Sequence, residues 1–210
     1  VYVLSLYKLF GPHLGLMYVN AAHHDKLSNQ SLEFLPAYYA NNRQPGAPNY
    51  LRIVLNPGLV NHESVASLNG LVEYFKLIYQ HHFTGLPKQF HTVMETVFKL
   101  IGQYQLKLSR QFIEGIRHKQ EFELIGQSIV DPDKRSPTYC LKIYNGRHAR
   151  DNATALAEHN IAVQSGSFYA WRCLRALGIN PDDGVLRISM AHFNTVDEVS
   201  RLNMAMESLI

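Results

Sequence analysis

The chain opens on an almost unbroken apolar run. VYVLSL, residues 1–6, shows no alternation of apolar and polar positions. That pattern predicts a strand buried on both faces, as in a parallel sheet. A single charge, Lys8, arrives at its end, just ahead of a Gly11-Pro12 turn. LGLMYV, residues 14–19, predicts a second strand. Residues 36–50 hold three prolines, a glycine and three asparagines and read as a loop or linker.

The period then changes. Val65, Leu68, Val72 and Phe75 keep helical spacing. From Phe90 to about Arg117, Val93, Val97, Leu100, Tyr104, Leu108 and Phe112 fall on one side of a long helix. Beyond it the elements shorten. TYCLKIY (138–144) alternates as a strand, 151–159 reads as a helix, and IAV (161–163) as another strand. Phe168 to Leu177 predicts a helix ended by Gly178. VLRISMAHF (185–193) predicts a strand, and Thr195 with Glu198 forms a capping-box pattern. The helix it opens places Val199, Leu202, Met206 and Leu209 inward. This order describes a small α/β domain. The expected division is 1–90 and 91–210.

Composition narrows the classes. A net charge of +3 over 210 residues is too small and dispersed for a nucleic-acid surface. No apolar run approaches the roughly 20 residues of a membrane span. Two cysteines, Cys140 and Cys173, make neither a disulfide framework nor a CxxC motif. A reducing, cytoplasmic setting is therefore expected. His23-His24 and His81-His82 are adjacent pairs, not the i, i+4 spacing of two metal ligands on a helix. The chain begins at Val1 inside the first strand, which suggests a fragment of a longer protein.

Two positions carry candidate chemistry. Lys8 stands after a strand and before a glycine turn, where open α/β sheets place their sites. A lysine partly desolvated there is freed to attack a carbonyl, although position alone favours an ordinary surface lysine after a core strand. Arg187 alternates with Leu186 and Ile188 and shares its face with Ser189 and Ala191. An arginine among small residues leaves room for a ligand, and its fork suits a carboxylate. By alternation alone, an ordinary ion-paired arginine is the commoner case.

The segment S-L-Y-K-L-F-G-P-H-L-G around Lys8, and R-I-S-M-A-H-F-N-T from Arg187, resemble the class-V aminotransferase-fold enzymes. Within them the pattern is similar to group II cysteine desulfurases and selenocysteine lyases. The resemblance implies an α/β protein of the pyridoxal-phosphate-dependent transferase fold type I. Residues 1–90 would be the C-terminal part of the large cofactor domain and 91–210 the small α/β domain. It also implies pyridoxal 5'-phosphate as cofactor, with Lys8 as the aldimine lysine and proton shuttle. Ser5 matches a phosphate-binding serine, and Tyr7 replaces a histidine with a hydroxyl that can still donate. Arg187 would hold the carboxylate of a small amino-acid substrate. LNPGLVNHES, residues 55–64, resembles a loop whose threonine reaches the phosphate bound by the neighbouring subunit. Leu59 takes that threonine's place, leaving backbone N–H groups around Gly58.

One segment departs. IAVQSGSFYAWR resembles the loop that carries the sulfur-accepting cysteine. Aligned on Gly166 and Ala170, that cysteine falls on Tyr169 and the loop's arginine on Gln164. Cys173, four residues on, reads as a core thiol beside Leu174 and Leu177. The resemblance covers the second half of the family's chain, so the fragment alone is not expected to catalyse. It implies a homodimer. Desulfurase, transaminase, lyase and epimerase outcomes stay open, and so does a catalytically degenerate binding or scaffold protein.

Overall fold

In the computed structural model, residues 1–27, 55–56, 60–85 and 87–210 are described. The chain divides into two units, Val1–Val93 and Met94–Ile210.

The first unit begins with β1 (Tyr2–Ser5), a 3-10 helix (Leu6–Leu9) and β2 (Gly15–Tyr18). β1 and β2 pair antiparallel, with Tyr2 opposite Tyr18 and Ser5 opposite Gly15. The expected parallel strand, buried on both faces, is therefore corrected. The ribbon is two-stranded among the described residues, and Val1, Tyr2 and Val3 stay two-thirds exposed. An apolar run reports how much surface asks to be covered, not how much of it is. The turn itself is tightly made. Phe10 is left-handed, with φ 65°. Gly11 donates to the Leu6 carbonyl at 3.0 Å, and its missing Cβ leaves room for Leu71. Helix α1 (His62–Ala66) follows, opened by the Asn61 side chain accepting from the Ser64 N–H. Next comes α2 (Leu68–His82), which buries Phe75 completely.

Helix α3 (Phe90–Ile116) has the predicted extent to within a residue. The second unit then adds β3 (Phe122–Ile125), β4 (Thr138–Ile143), α4 (Ala149–Glu158), β5 (Gln164–Gly166), α5 (Trp171–Ala176), β6 (Val185–Ser189) and α6 (Val196–Glu207). Its sheet runs β3-β4-β6-β5, antiparallel throughout.

Alternation along β4 and β6 sends Tyr139, Leu141, Ile143, Leu186 and Ile188 to one face. There they meet Leu108 and Phe112 of α3, Leu156 of α4, and Val199, Leu202 and Met206 of α6. The capping box at Thr195 and Glu198 is present in both directions. The opposite face is also covered, by a smaller cluster of Leu174, Ile179 and Val185, with Cys140 and Phe168 packed against it.

Three boundaries differ from expectation. Ile161 and Val163 pack partly buried on the main core, but pairing starts only at Gln164, opposite Arg187. Apolarity there marks burial rather than a ladder. The helix expected from Phe168 starts at Trp171, because Phe168 and Tyr169 are left-handed, with φ of 50° and 62°. Such a pair cannot belong to a right-handed helix. Strand β6 ends at Ser189, after which Asn194 ties back to the Ala191 N–H at 2.8 Å.

Candidate active site

Lys8 lies in the 3-10 helix that closes the β1–β2 connection. Its side chain is exposed, not desolvated as the strand-end position suggests. The short ribbon does not enclose it. No carboxylate pairs with it among the described residues, and its Nζ lies 6.0 Å from the centre of the Tyr7 ring. Tyr7 in turn faces His13, with ring centres 5.1 Å apart. Ser5 occupies the N-cap of the 3-10 helix, yet its side chain makes no capping hydrogen bond. The unit thus presents a primary amine without a counter-charge among the described residues, and two hydroxyls able to donate nearby in sequence. Those are the groups an aldehyde bearing a phosphate calls for. Gly58 and Leu59 lie outside the described residues.

Arg187 sits in the middle strand of its row, between Cys140 on β4 and Gln164 on β5. It is half-buried. Its guanidinium carbon lies 4.1 Å from the centre of the Phe168 ring. Its Nε is buried with no hydrogen-bond partner, and no carboxylate pairs with it among the described residues. Arg135, whose Nε is also buried and unbonded, differs in donating its terminal N–H groups to the Gln127 and Thr138 carbonyls. Burial pushes the Cys140 thiol up, and the nearby Arg187 and Arg135 charges offset this in part. Cys140 therefore stays a neutral thiol at neutral pH.

The segment from Gln164 to Ala170 wraps over this face. Gly166 has φ 132°, and a Cβ added at Gly184 would overlap its backbone. The missing Cβ of Gly184 lets the loop and the start of β6 touch, and Gly166 supplies the positive φ of the turn. Tyr169, at the position where the sulfur-accepting cysteine is expected, is fully exposed. Cys173 is exposed as well, and so is Leu177. The expectation of a core thiol is corrected: α5 has only six residues, and only Leu174 of them is buried. Sequence reasoning missed Phe168 as a partner of Arg187. No local pattern marks it, since the contact depends on two consecutive left-handed residues.

The sequence profile of the class-V aminotransferases matches residues 81–202. The chain belongs to that family of pyridoxal-phosphate-dependent enzymes. It is 26% identical over 210 residues to the aminotransferase-like protein FGM3 of Gibberella zeae, covering 100% of this chain and 46% of that protein. It is 28% identical over 140 residues to a probable cysteine desulfurase of Vibrio cholerae, covering 61% of this chain and 34% of that one. Among solved structures, the cysteine desulfurase CsdA of Escherichia coli superposes with a TM-score of 0.68 at 20% identity. That match takes in 99% of this chain and 45% of CsdA. A cysteine desulfurase of Thermococcus onnurineus gives 0.68 at 20% identity, over 96% and 44%. The fold is that of the fold type I enzymes. The chain spans less than half the length of these relatives.

Proposed function

We propose that the protein carrying this chain is a pyridoxal-phosphate-dependent enzyme of the cysteine desulfurase-like group that acts on an amino acid. Arg187 carries the reading. A half-buried guanidinium with no acidic partner among the described residues, and a buried Nε left unbonded, is a site for an incoming carboxylate. Lys8 is the residue that would hold the cofactor's aldehyde carbon. The hydroxyls of Ser5 and Tyr7 would hold its phosphate, and backbone N–H groups around Gly58 would reach the phosphate bound by the neighbouring subunit. When bound, the cofactor supplies an electron sink for bond breaking at the substrate's α-carbon. Arg187 orients that carbon by gripping the carboxylate through two N–H groups. The Lys8 amine would take the proton from the α-carbon and return it. A cytoplasmic homodimer acting on a small amino acid belongs to the same reading.

Tyr169 argues against persulfide formation at this loop position, because a phenol cannot accept sulfur as a thiolate does. Lyase, transaminase or epimerase chemistry is then the expected outcome. The same residue favours a second reading, a degenerate member serving as a binding or scaffold protein.

Borohydride reduction of the intact protein, followed by peptide mapping, is expected to find a pyridoxyl group on Lys8. No adduct there overturns the first reading in favour of the second. Incubation with L-cysteine is expected to release no sulfide while another amino acid turns over. Sulfide release would restore desulfurase activity.

A further inference from the structure

We propose that Phe168 is a positioning residue for Arg187, orienting its guanidinium for a carboxylate while consuming none of its donors. The inference rests on the reading that Arg187 holds the substrate carboxylate. A guanidinium has its five N–H donors in one plane and a bare face above and below. An acidic neighbour that fixed this plane would occupy two of those donors and cancel the charge. An aromatic ring fixes it through the face instead, with the edge left open. The geometry here is of the second kind. The Phe168 ring centre is 4.1 Å from the guanidinium carbon, Nε is unbonded, and no carboxylate pairs with Arg187 among the described residues.

The ring is itself held from two sides. It packs against Leu174, Ile179 and Val185, whose cluster lies on the arginine's face of the sheet. Its backbone is left-handed, as is that of Tyr169, and the loop is tied by the Ala170 N–H to the Ser167 carbonyl at 2.8 Å. The close approach of Gly166 and Gly184 fixes where the loop begins. Two consecutive left-handed non-glycine residues are costly. Here they turn Phe168 onto the arginine while Tyr169 points to solvent. Loop conformation and carboxylate binding are thereby coupled.

The test uses the intact, cofactor-free protein and phenylglyoxal, which modifies arginine; the rate at Arg187 is read by peptide mass spectrometry. Pyruvate is the probe, a carboxylate of amino-acid size with no amine to consume the reagent. Pyruvamide is its uncharged control. Phe168→Leu keeps an apolar side chain without a π-face, and Phe168→Tyr keeps the ring. Pyruvate, but not pyruvamide, is expected to protect Arg187 in wild type and in Phe168→Tyr. Phe168→Leu is expected to need about tenfold more pyruvate for equal protection. Equal protection in wild type and Phe168→Leu overturns the role of Phe168 and leaves Arg187 as the carboxylate site. Loss in both variants overturns it too, since that marks packing rather than the ring. No protection in wild type overturns the Arg187 reading and this inference with it. If Phe168→Leu fails to fold by circular dichroism, Phe168→Met takes its place under the same outcomes.

Discussion

The two cysteines show how little a residue type says without its neighbours. Cys140 lies between Tyr139 and Leu141 and Cys173 lies next to Leu174, and both look like small core hydrophobes. Only Cys140 behaves so: it packs against the cluster beneath Phe168, and burial holds its thiol protonated. Cys173 faces outward from a helix of one and a half turns. Iodoacetamide at neutral pH is therefore expected to label Cys173 first, with Cys140 reacting at least about tenfold more slowly until the protein is unfolded. Peptide mapping over a time course checks this, and equal rates would contradict the burial argument. At the same scale, Lys8 and Arg187 were singled out because each sits in a run that resembles a family motif. Phe168 was not, because its partner lies 19 positions along the chain and is reached only through a left-handed turn.

Elements were read well where burial was one-sided and long. The helix from Phe90 to Ile116 shows its period for 27 residues, and Val93, Val97, Leu108 and Phe112 are fully buried as that period requires. Short elements failed at their ends, where pairing and backbone sign decide and hydrophobicity does not. β3 went unread: FELI gives only four residues of pattern. Two predictions belong here. An added Cβ at Gly115 of α3 would overlap the Asn203 side chain of α6, whose Nδ2 donates to the Gln111 carbonyl at 3.0 Å. Helix propensity favours alanine over glycine by about 1 kcal/mol. Overpacking costs about 1–3 kcal/mol. The clash should win, and Gly115→Ala is expected to destabilise by about 1 kcal/mol in a denaturant melt.

The second concerns the α6 cap. The backbone N–H of Thr195, foremost, and the Asn194 side chain hold the Glu198 carboxyl below its ordinary value of 4.5. A depressed folded-state value means the stabilisation is present above 4.5 and is lost as pH falls through the folded value. Glu198→Gln keeps a capping acceptor but does not titrate. Its melting temperature is expected to fall less steeply than that of wild type as pH drops below 4.5. Parallel slopes would show that another carboxylate governs acid unfolding.

At the scale of the whole molecule, the two units differ in how far they satisfy themselves. The main core of the second unit is drawn entirely from residues between Leu108 and Leu209, and it joins a four-stranded sheet to three helices. That is the apolar content of an independent domain of ordinary size. The first unit offers a two-stranded ribbon among its described residues, with Val1, Tyr2, Val3, Met17 and Tyr18 exposed. A lone ribbon of that kind is marginal in water. The pattern of apolar positions alone ranks both stretches as equally buried, because it cannot say whether a covering surface exists. A piece spanning residues 90–210, which starts at the first turn of α3 and so keeps that helix whole, is expected to fold by itself. Its thermal unfolding should be cooperative, with tertiary signal and helical signal lost together. A gradual, probe-dependent loss would mean that the core around Leu108 and Phe112 needs the preceding residues to form.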